Sequence, residues 1–196
     1  MNRVYAVRCP DYDRVEEQMA DLLALMGGVE RFVAPGERIA LKVNLLMAAE
    51  PEKAITTHPA VVSAVGRAAR DQGASPLITD SPTGGYEYNE GTMRRVYRKS
   101  EMTDVAQEAG IDLNYDTTHQ AVSFPDGVLT KHFDIITPLV EADGVLNLCK
   151  LKTHTYMGMT GAVKNNFGAI PGRAKPGYHA KLNDPARFAG MLLDLA

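Results

Sequence analysis

Short apolar segments alternate with helical patterns along this chain, and the alternation repeats about every 35 residues. Apolar residues at every second position predict strands, whereas apolar residues three or four positions apart predict amphipathic helices. The predicted strands cover residues 4–8, 38–46, 76–79, 112–115, 121–124 and 144–149. The predicted helices cover residues 14–26, 59–72, 92–109 and 137–143, a segment begun near Thr155, and a last helix opened by Asp184 and Pro185. This order predicts an α/β fold with a mostly parallel or mixed sheet and helices on both faces.

The size of the chain suits one domain. Its 196 residues, of which 45% are hydrophobic, can bury a core of their own, so we expect a single α/β domain over residues 1–196. The last predicted helix runs to Ala196 without a recognisable C-cap. We therefore expect this domain to be truncated at its C-terminus.

The composition argues against several classes of protein. The 21 basic and 24 acidic residues give a net charge of −3, which favours neither nucleic acid nor a membrane surface as a partner. The chain shows no signal-peptide pattern and no apolar run of the roughly 20 residues that span a bilayer, so we expect a cytoplasmic protein. Cys9 and Cys149 form no CxxC pair, which predicts that the chain contains no iron–sulfur ligand set.

The basic residues are distributed unevenly. Residues 150–181, called the basic window below, contain six of them and no Asp or Glu, where an even distribution would place about four acids. The rest of the chain keeps 15 basic residues against all 24 acidic ones. Five glycines in the same window allow a ligand to approach the backbone closely. Lysines beside accessible N–H groups are typical of a phosphate or carboxylate site, and the alternative is a solvated basic loop.

Polar segments follow three of the predicted strands. Thr56, Thr57 and His58 come after the strand over 38–46, and Asp80 and Ser81 come after the next one. The basic window directly follows the strand over 144–149. In a parallel sheet these segments share the carboxyl edge, where ligands bind in open α/β folds.

Lys42 and Asn44 occupy the opposite face of their strand from Leu41, Val43 and Leu45. An unpaired lysine is costly to bury in a central strand, so Lys42 should reach an acid or a bound anion. The alternative is an edge strand with a solvated lysine.

An ordered set of motifs resembles domain of unknown function 362 over nearly the whole chain. The motifs are Lys42-Val43-Asn44-Leu45, Thr56-Thr57-His58-Pro59, Asp80-Ser81-Pro82, Lys150-Leu151-Lys152-Thr153-His154 and Thr160-Gly161-Ala162-Val163-Lys164-Asn165-Asn166-Phe167-Gly168. The resemblance implies an α/β domain whose activity is poorly defined. Many members of this family carry a ferredoxin-like module with two four-iron clusters, which this chain lacks. The resemblance therefore implies a core domain that exchanges electrons, if at all, with clusters on missing sequence or on a partner chain.

The candidate site follows from the chemistry of these motifs. Lys152 and His154 are the candidate catalytic residues, because neighbouring lysines should lower the pKa of His154 and leave a neutral imidazole as a general base. A loop or capping histidine is the alternative. The candidate residues for binding an anionic cofactor are Lys42, Asn44, Thr57, Asp80, Ser81, Lys150, Lys152, Thr160, Gly161, Lys164, Asn165 and Lys175. No ligand spacing predicts a metal site.

Three hypotheses about function remain open at this point. The first is an enzyme, such as an oxidoreductase, that binds a small anionic cofactor or substrate of unknown identity at the basic, glycine-rich rim. The second is a non-catalytic electron-transfer or docking module that binds a ferredoxin-like domain or protein. The third is a metal-dependent isomerase or hydrolase that uses His154 and His179. None of the three involves nucleic acid or a membrane.

Overall fold

The structure is a computed structural model, and it describes residues 3–83 and 85–196. Its strands are β1 Arg38–Lys42, β2 Ser75–Thr79, β3 Asp112–Leu113, β4 His119–Ser123, β5 His132–Ile136, β6 Gly144–Asn147, β7 Lys152–His154 and β8 Gly158–Thr160. Its α-helices are α1 Val15–Leu25, α2 Pro59–Asp71, α3 Glu90–Lys99, α4 Met102–Ala109, α5 Thr137–Val140, α6 Ala162–Asn165, α7 Lys175–Lys181 and α8 Pro185–Asp194.

The centre of the molecule is a four-stranded parallel sheet in the order β3-β2-β1-β6. Helices pack on this sheet, so the predicted α/β fold is confirmed. Two antiparallel hairpins, β4–β5 and β7–β8, lie outside it. The chain moves outward from β1 to β2 and β3, and then returns to place β6 on the other side of β1. This reversal of strand order creates a topological switch point between β1 and β6, where ligands bind in open α/β sheets.

The helix α2 shows why the predicted pattern forms a helix here. His58 caps it, since its imidazole Nδ1 accepts a hydrogen bond from the backbone N–H of Ala60 at 3.2 Å, and Pro59 occupies the first turn. The buried face includes Val62, Val65 and Ala69, which join the main core over the sheet. Burying such side chains stabilises the fold by about 2 kcal/mol each.

Two hydrophobic clusters hold the molecule together. The main cluster draws its buried residues from the first 111 positions and surrounds β1, β2 and the helices α2, α3 and α4. The second cluster joins the basic window to α8 and to the β4–β5 hairpin. Its buried members are Phe133, Phe167, Ile170, Phe188, Met191 and Leu192. The polar cleft described below lies where these two regions meet.

Several predicted elements differ from the structure. Residues 4–8 form no strand, and Val4 is 95% exposed. The exposed helix predicted over residues 92–109 is two helices, because Glu101 adopts a left-handed conformation with φ 59° between them. Both helices also bury apolar side chains, among them Met93 and Val105. The strand predicted as buried over residues 144–149 is an edge strand, in which Val145 is 48% exposed.

The basic window folds differently from its prediction. The helix expected to begin near Thr155 is replaced by the β7–β8 hairpin, and the helical turn begins only at Ala162. The prediction of a helix from Thr155 is therefore wrong, and Thr160 and Lys164 lie on different elements, β8 and α6. Gly161 precedes α6 in an extended conformation. The sequence pattern also missed β5, which pairs with β4.

Candidate functional site

A cleft of about 540 Å³ opens at the carboxyl end of the sheet, beside the switch point between β1 and β6. Segments that follow β1, β2 and β6 all contribute to its wall, as the parallel sheet requires. Its lining residues are Asn44, Leu46, Ile55, Asp80, Ser81, Thr83, Lys152, Thr153, His154, Thr155, Thr160, Lys164, Asn165, Phe167, Gly168, Lys175 and His179. Two of the three predicted polar segments line this cleft, namely Asp80-Ser81 and the start of the basic window. The third, Thr56-Thr57-His58, does not, and the segment after β1 contributes Asn44, Leu46 and Ile55 instead.

Buried charges lie beneath the floor of this cleft. Lys42 Nζ lies 2.6 Å from Asp80 Oδ1, and both side chains are almost wholly buried. The other carboxylate oxygen accepts a hydrogen bond from the backbone N–H of Leu45 at 2.7 Å, so Asp80 ties the end of β2 to the end of β1. Lys42 therefore reaches an acid, and the alternative of a solvated edge lysine is wrong. A side chain at Gly168 would overlap both Asp80 and Lys42, which explains a glycine at that position.

An amide network positions the residues at the switch point. Asn44 donates to Asn165 Oδ1 at 3.0 Å, and Asn165 donates to Asn147 Oδ1 at 2.7 Å. Asn147 in turn donates to Asn166 Oδ1 at 2.7 Å. Asn165 lines the cleft, but its amide is engaged within the protein, so its evident role is to join the loop after β1 to α6. Asn147 and Asn166 complete this network and were not among the predicted site residues.

Lys175 is a buried lysine that has no carboxylate partner among the described residues. It is 2% exposed, and its Nζ donates to the backbone carbonyl oxygens of Ser81 and Pro82. Burial, with smaller contributions from the charges of Lys42 and Lys164, lowers its pKa from 10.5 to about 7 against the opposing effect of Asp80. A buried ammonium held only by carbonyl dipoles is a strained electrostatic arrangement that a nearby anion would relieve.

Lys152 and Lys164 lie closer to the mouth of the cleft and are partly exposed. Lys152 Nζ donates to Asn44 Oδ1 at 2.7 Å and to the carbonyl oxygen of Ile55. Lys164 Nζ lies 4.6 Å from the ring centre of Phe167 and 5.7 Å from that of Phe188. Burial lowers the pKa of both lysines, and the additional charges of Lys152 and Lys42 bring that of Lys164 to about 8.

Positive charge in the cleft exceeds negative charge. Four lysines surround or underlie it, and among the described lining residues Asp80 is the single carboxylate. Ser81 adds an unpaired donor, because its hydroxyl is buried and has no hydrogen-bond partner within residues 3–83 and 85–196. Its backbone N–H is already bound to the carbonyl of Gly168 at 3.1 Å. The combination of lysines with a free buried hydroxyl fits a negatively charged oxygen-rich group.

Two histidines line the same cleft. His154 Nδ1 accepts hydrogen bonds from the backbone N–H groups of Tyr156 and Met157, both at 3.1 Å, so the hydrogen of the neutral ring is on Nε2. The ring of His179 stacks on Phe188 with 4.4 Å between ring centres. Burial and the charge of Lys164 lower the pKa of both histidines, which favours neutral imidazoles at neutral pH.

Four predicted binding residues lie outside the cleft lining, namely Lys42 beneath its floor and Thr57, Lys150 and Gly161. Thr57 is buried, and its hydroxyl accepts from the N–H of Asn44 at 2.8 Å and donates to the carbonyl of Leu148 at 2.6 Å. It therefore positions two loops. Lys150 turns away to the hydroxyl of Tyr12 at 3.0 Å, and Gly161 only begins α6. Conversely, the aromatic wall of Phe167 and Phe188 was missed, since these positions are far apart in sequence and no local pattern joins them.

The described residues do not fit an iron–sulfur cluster. A four-iron cluster takes four cysteine thiolates, whereas this chain has Cys9, which is exposed, and Cys149, which is half-buried, both free. No three His, Cys, Asp or Glu side chains in residues 3–83 and 85–196 lie close enough together to hold a metal ion. In the same ranges no helix has both the length and the apolar character needed to cross a membrane.

Comparison with known proteins gives one curated relative. The thylakoid-associated protein sll1697 of Synechocystis sp. (strain PCC 6803) is 34% identical over 176 residues. The aligned region covers 89% of this chain and 52% of that protein, so the chain spans about half the length of this relative. No solved structure matches the chain.

The family comparison covers the whole sheet and the whole cleft. The family described as a domain of unknown function, DUF362, matches residues 39–196, from the first strand to the last helix. The resemblance inferred from the sequence motifs is thereby confirmed, and the chain belongs to the DUF362 family.

Proposed function

We propose that this domain binds a small organic anion, with a carboxylate or phosphate group, in the cleft at the end of its sheet. One observation carries the proposal: four lysines around the cleft face a single carboxylate, and that carboxylate is already paired with Lys42. Lys152, Lys164 and Lys175 are therefore left without a counterion among the described residues. The partly exposed ammonium groups of Lys152 and Lys164 are the donors that an anionic ligand would meet directly. The charge of the buried Lys175 and the buried hydroxyl of Ser81 lie behind them.

The energetics of burial support a ligand rather than a passive basic loop. Half-buried and buried ammonium groups lose hydration, and the lowered pKa values of the three lysines express that loss. A solvated surface loop would show no such shifts. An anion that enters the cleft would compensate the positive charge of these lysines. Because the site is concave, it suits a small molecule better than the flat face of a protein.

The residues first considered catalytic take different roles in this proposal. The Nζ of Lys152 is held by hydrogen bonds to Asn44 and to the carbonyl of Ile55, which suits anion binding more than proton transfer. His154 is a neutral imidazole beside the lysines and can accept or donate a proton at Nε2. An oxidoreductase function would need a redox centre from a cofactor, a partner or further sequence, because the cysteines of this chain do not supply one.

The cellular location stays a prediction. The cytoplasm was expected from the sequence, whereas the printed name of the curated relative associates that protein with thylakoids. Docking of an acidic ferredoxin-like protein to the basic window also stays an alternative, and the experiment below separates it from small-molecule binding.

The proposal is tested by thermal unfolding and titration calorimetry with phosphate, pyrophosphate, citrate and pyruvate, at an ionic strength matched with potassium chloride. At least one anion should stabilise the chain, by about 2.7 kcal/mol at a hundredfold excess over its Kd. Lys164→Gln and Lys152→Gln should each weaken binding at least about tenfold, since each removes a charge-assisted hydrogen bond. Lys131→Gln is the matched control, because Lys131 is an exposed lysine outside the cleft.

The pH dependence of binding has a definite sign. An anion prefers protonated lysines, and the pKa values of Lys164 and Lys175 are about 8 and about 7. For a ligand that does not itself titrate, affinity should therefore rise as the pH falls from 9 to 6. Identical thermal shifts in wild type and both cleft variants would contradict the proposal. Salt-sensitive binding of an acidic ferredoxin-like protein, with no response to any small anion, would favour the docking alternative.

A further inference from the structure

We propose that Lys164 is a nucleophilic amine that forms an imine with the carbonyl carbon of a small oxo acid bound in the cleft. This inference rests on the anion site proposed above, because the acid group of such a molecule would occupy it. It adds a covalent chemistry that the binding proposal does not contain.

The four lysines of the cleft differ in how their Nζ atoms are engaged. Lys42 lies beside Asp80, Lys152 donates to Asn44 and Ile55, and Lys175 donates to the carbonyls of two cleft residues. Lys164 Nζ alone has neither a hydrogen-bond acceptor nor a carboxylate within reach in the described part of the chain. It is also partly exposed, whereas Lys175 is sealed inside. Lys164 is therefore the cleft amine that a ligand can reach and that no hydrogen bond or ion pair restrains.

The surroundings of Lys164 favour the neutral amine that nucleophilic attack requires. The ring faces of Phe167 and Phe188 lie beside its Nζ and favour the ammonium through cation–π contact. Burial and the charges of Lys152 and Lys42 act in the opposite direction and lower its pKa to about 8. Six charged or titratable side chains face this amine across the cleft: Lys42, Lys152, Lys175, Asp80, His154 and His179. Three of them are lysines, and a neighbouring cation is a recognised way to activate an amine for imine formation.

The lowered pKa of Lys164 increases the fraction of its amine that is neutral. With a pKa of about 8 in place of 10.5, about one Lys164 amine in ten is neutral at pH 7. For a lysine at the ordinary value the fraction is roughly one in three thousand. Even after allowance for the lower nucleophilicity of a weaker base, Lys164 should react at least roughly tenfold faster than an exposed lysine.

The proposed step is balanced in atoms and electrons. The lone pair of Nζ forms a bond to the carbonyl carbon, and the π pair of that carbonyl moves to its oxygen. The nitrogen gives a proton to a neutral imidazole, which passes it to the oxygen to give a neutral carbinolamine. The hydroxyl then takes a proton from solvent and leaves as water, while the nitrogen lone pair forms the C=N bond of a protonated imine. Loss of the remaining N–H proton to solvent gives the neutral imine and restores the proton that was taken up. No oxidant or reductant takes part.

The two histidines of the cleft are placed to carry these protons. The ring centre of His179 lies 5.4 Å from that of Phe167 and 4.4 Å from that of Phe188, the two rings that Lys164 faces. The Nδ1 atom of His154 is occupied by backbone N–H groups, which leaves Nε2 for proton transfer. Lys152, which is partly exposed, remains available for the carboxylate of the oxo acid.

The test is reductive trapping. The chain is incubated at pH 7.5 with pyruvate and sodium cyanoborohydride, which reduces an imine to a stable secondary amine, and the modified lysines are identified by peptide mass spectrometry. We expect one dominant adduct on Lys164, formed at least roughly tenfold faster than on any exposed lysine. Lys164→Arg should lose that adduct, and the matched control Lys131→Arg should retain it. Hydroxyacetone, which carries a ketone but no charge, should label Lys164 more slowly than pyruvate does.

The outcomes separate this inference from the anion site itself. If pyruvate or phosphate stabilises the chain but the adducts are spread over surface lysines, imine formation at Lys164 is overturned and the anion site stands. A dominant adduct on Lys152 or Lys175 would overturn it equally. If no anion binds and no selective adduct forms, both proposals fail. The adduct map of the wild-type chain decides these cases even if Lys164→Arg does not fold.

Discussion

The body of the sheet and the basic window both bury a lysine, but the buried ammonium has a carboxylate partner in the sheet and none in the described part of the basic window. In the body, Lys42 lies on the central strand β1 and is neutralised by Asp80 at 2.6 Å, deep below the surface. In the basic window, Lys175 is as deeply buried and is held only by the backbone carbonyls of Ser81 and Pro82. One region balances its internal charge, and the other leaves it unbalanced beside an open cleft.

This difference indicates which region stabilises the fold and which one binds a ligand. A buried ion pair contributes little net stability, but the loss of one partner is strongly destabilising, so Lys42 and Asp80 act as a structural unit. An unbalanced ammonium lowers stability for as long as no anion is present, which is typical of a site organised for binding. The proximity of the two arrangements follows from the topology, since β1, β2 and the start of the window end at the same edge of the sheet.

The largest expected effect comes from breaking the balanced pair. Asp80→Ala should lower the free energy of unfolding by about 4 kcal/mol, because it leaves Lys42 buried without its carboxylate and the N–H of Leu45 without its acceptor. Urea unfolding followed by circular dichroism measures this loss.

The matched control for that prediction is the double variant Lys42→Met with Asp80→Asn, which removes both charges and keeps an oxygen near the N–H of Leu45. Its free energy of unfolding should be within about 1.5 kcal/mol of the wild-type value, because side-chain volume and packing are nearly conserved. Equal losses in the single and double variants would show that charge balance is not what Asp80 provides.

An intermediate effect of opposite sign is expected in the basic window. Lys175→Met should raise the stability of the ligand-free chain at pH 6 by about 2 kcal/mol, because a buried cation without a counterion is replaced by an apolar side chain of similar length. The variant should also bind anions more weakly. Lys181→Met, at an exposed position of the same window, should leave the stability within about 0.5 kcal/mol of wild type.

The pH dependence of stability sharpens the same comparison. The pKa of Lys175 is about 7 in the folded chain, against an ordinary value of 10.5, so the unfolded chain binds more protons between these two values. The free energy of unfolding should therefore rise as the pH increases from 7 toward 10.5. Lys175→Met should reduce the slope, and an unchanged slope would contradict the unbalanced charge assigned to Lys175.

The two regions also differ in how far the sequence predicted them. The strand β1, the helix α2 and the helix α8 were recognisable because periodicity and capping residues are local signals. The same local reasoning favoured an acid or a bound anion beside Lys42, with a solvated edge lysine as the alternative, and it could not choose Asp80 from other carboxylates. In the basic window the composition indicated an anion site, but the β7–β8 hairpin was missed because each strand has only three residues and lacks an alternating apolar pattern.

Other errors have the same physical origin. The break at Glu101 was missed because a left-handed conformation at a residue other than glycine is imposed by the packing of α3 and α4 rather than by local preference. The aromatic wall beside Lys164 joins Phe167 to Phe188, which lie 21 positions apart on different elements. Tertiary contacts therefore decide the parts of the cleft that the sequence pattern did not reveal.

The smallest expected effect tests whether anion affinity depends on the placement of the aromatic wall by α8 or only on the lysine charges. Asp184 caps α8, since its Oδ1 accepts a hydrogen bond from the N–H of Arg187 at 2.9 Å. Asp184→Ala should lower the free energy of unfolding by about 1 kcal/mol, and Asp184→Asn, which can still cap the helix, should restore most of that loss. Anion affinity, measured by calorimetry below the unfolding transition, should stay within about twofold of wild type in both variants, because every lysine of the cleft is retained. A large fall in affinity with Asp184→Ala would instead mean that Phe188 and α8 control the placement of Lys164, and the charges alone would no longer account for binding.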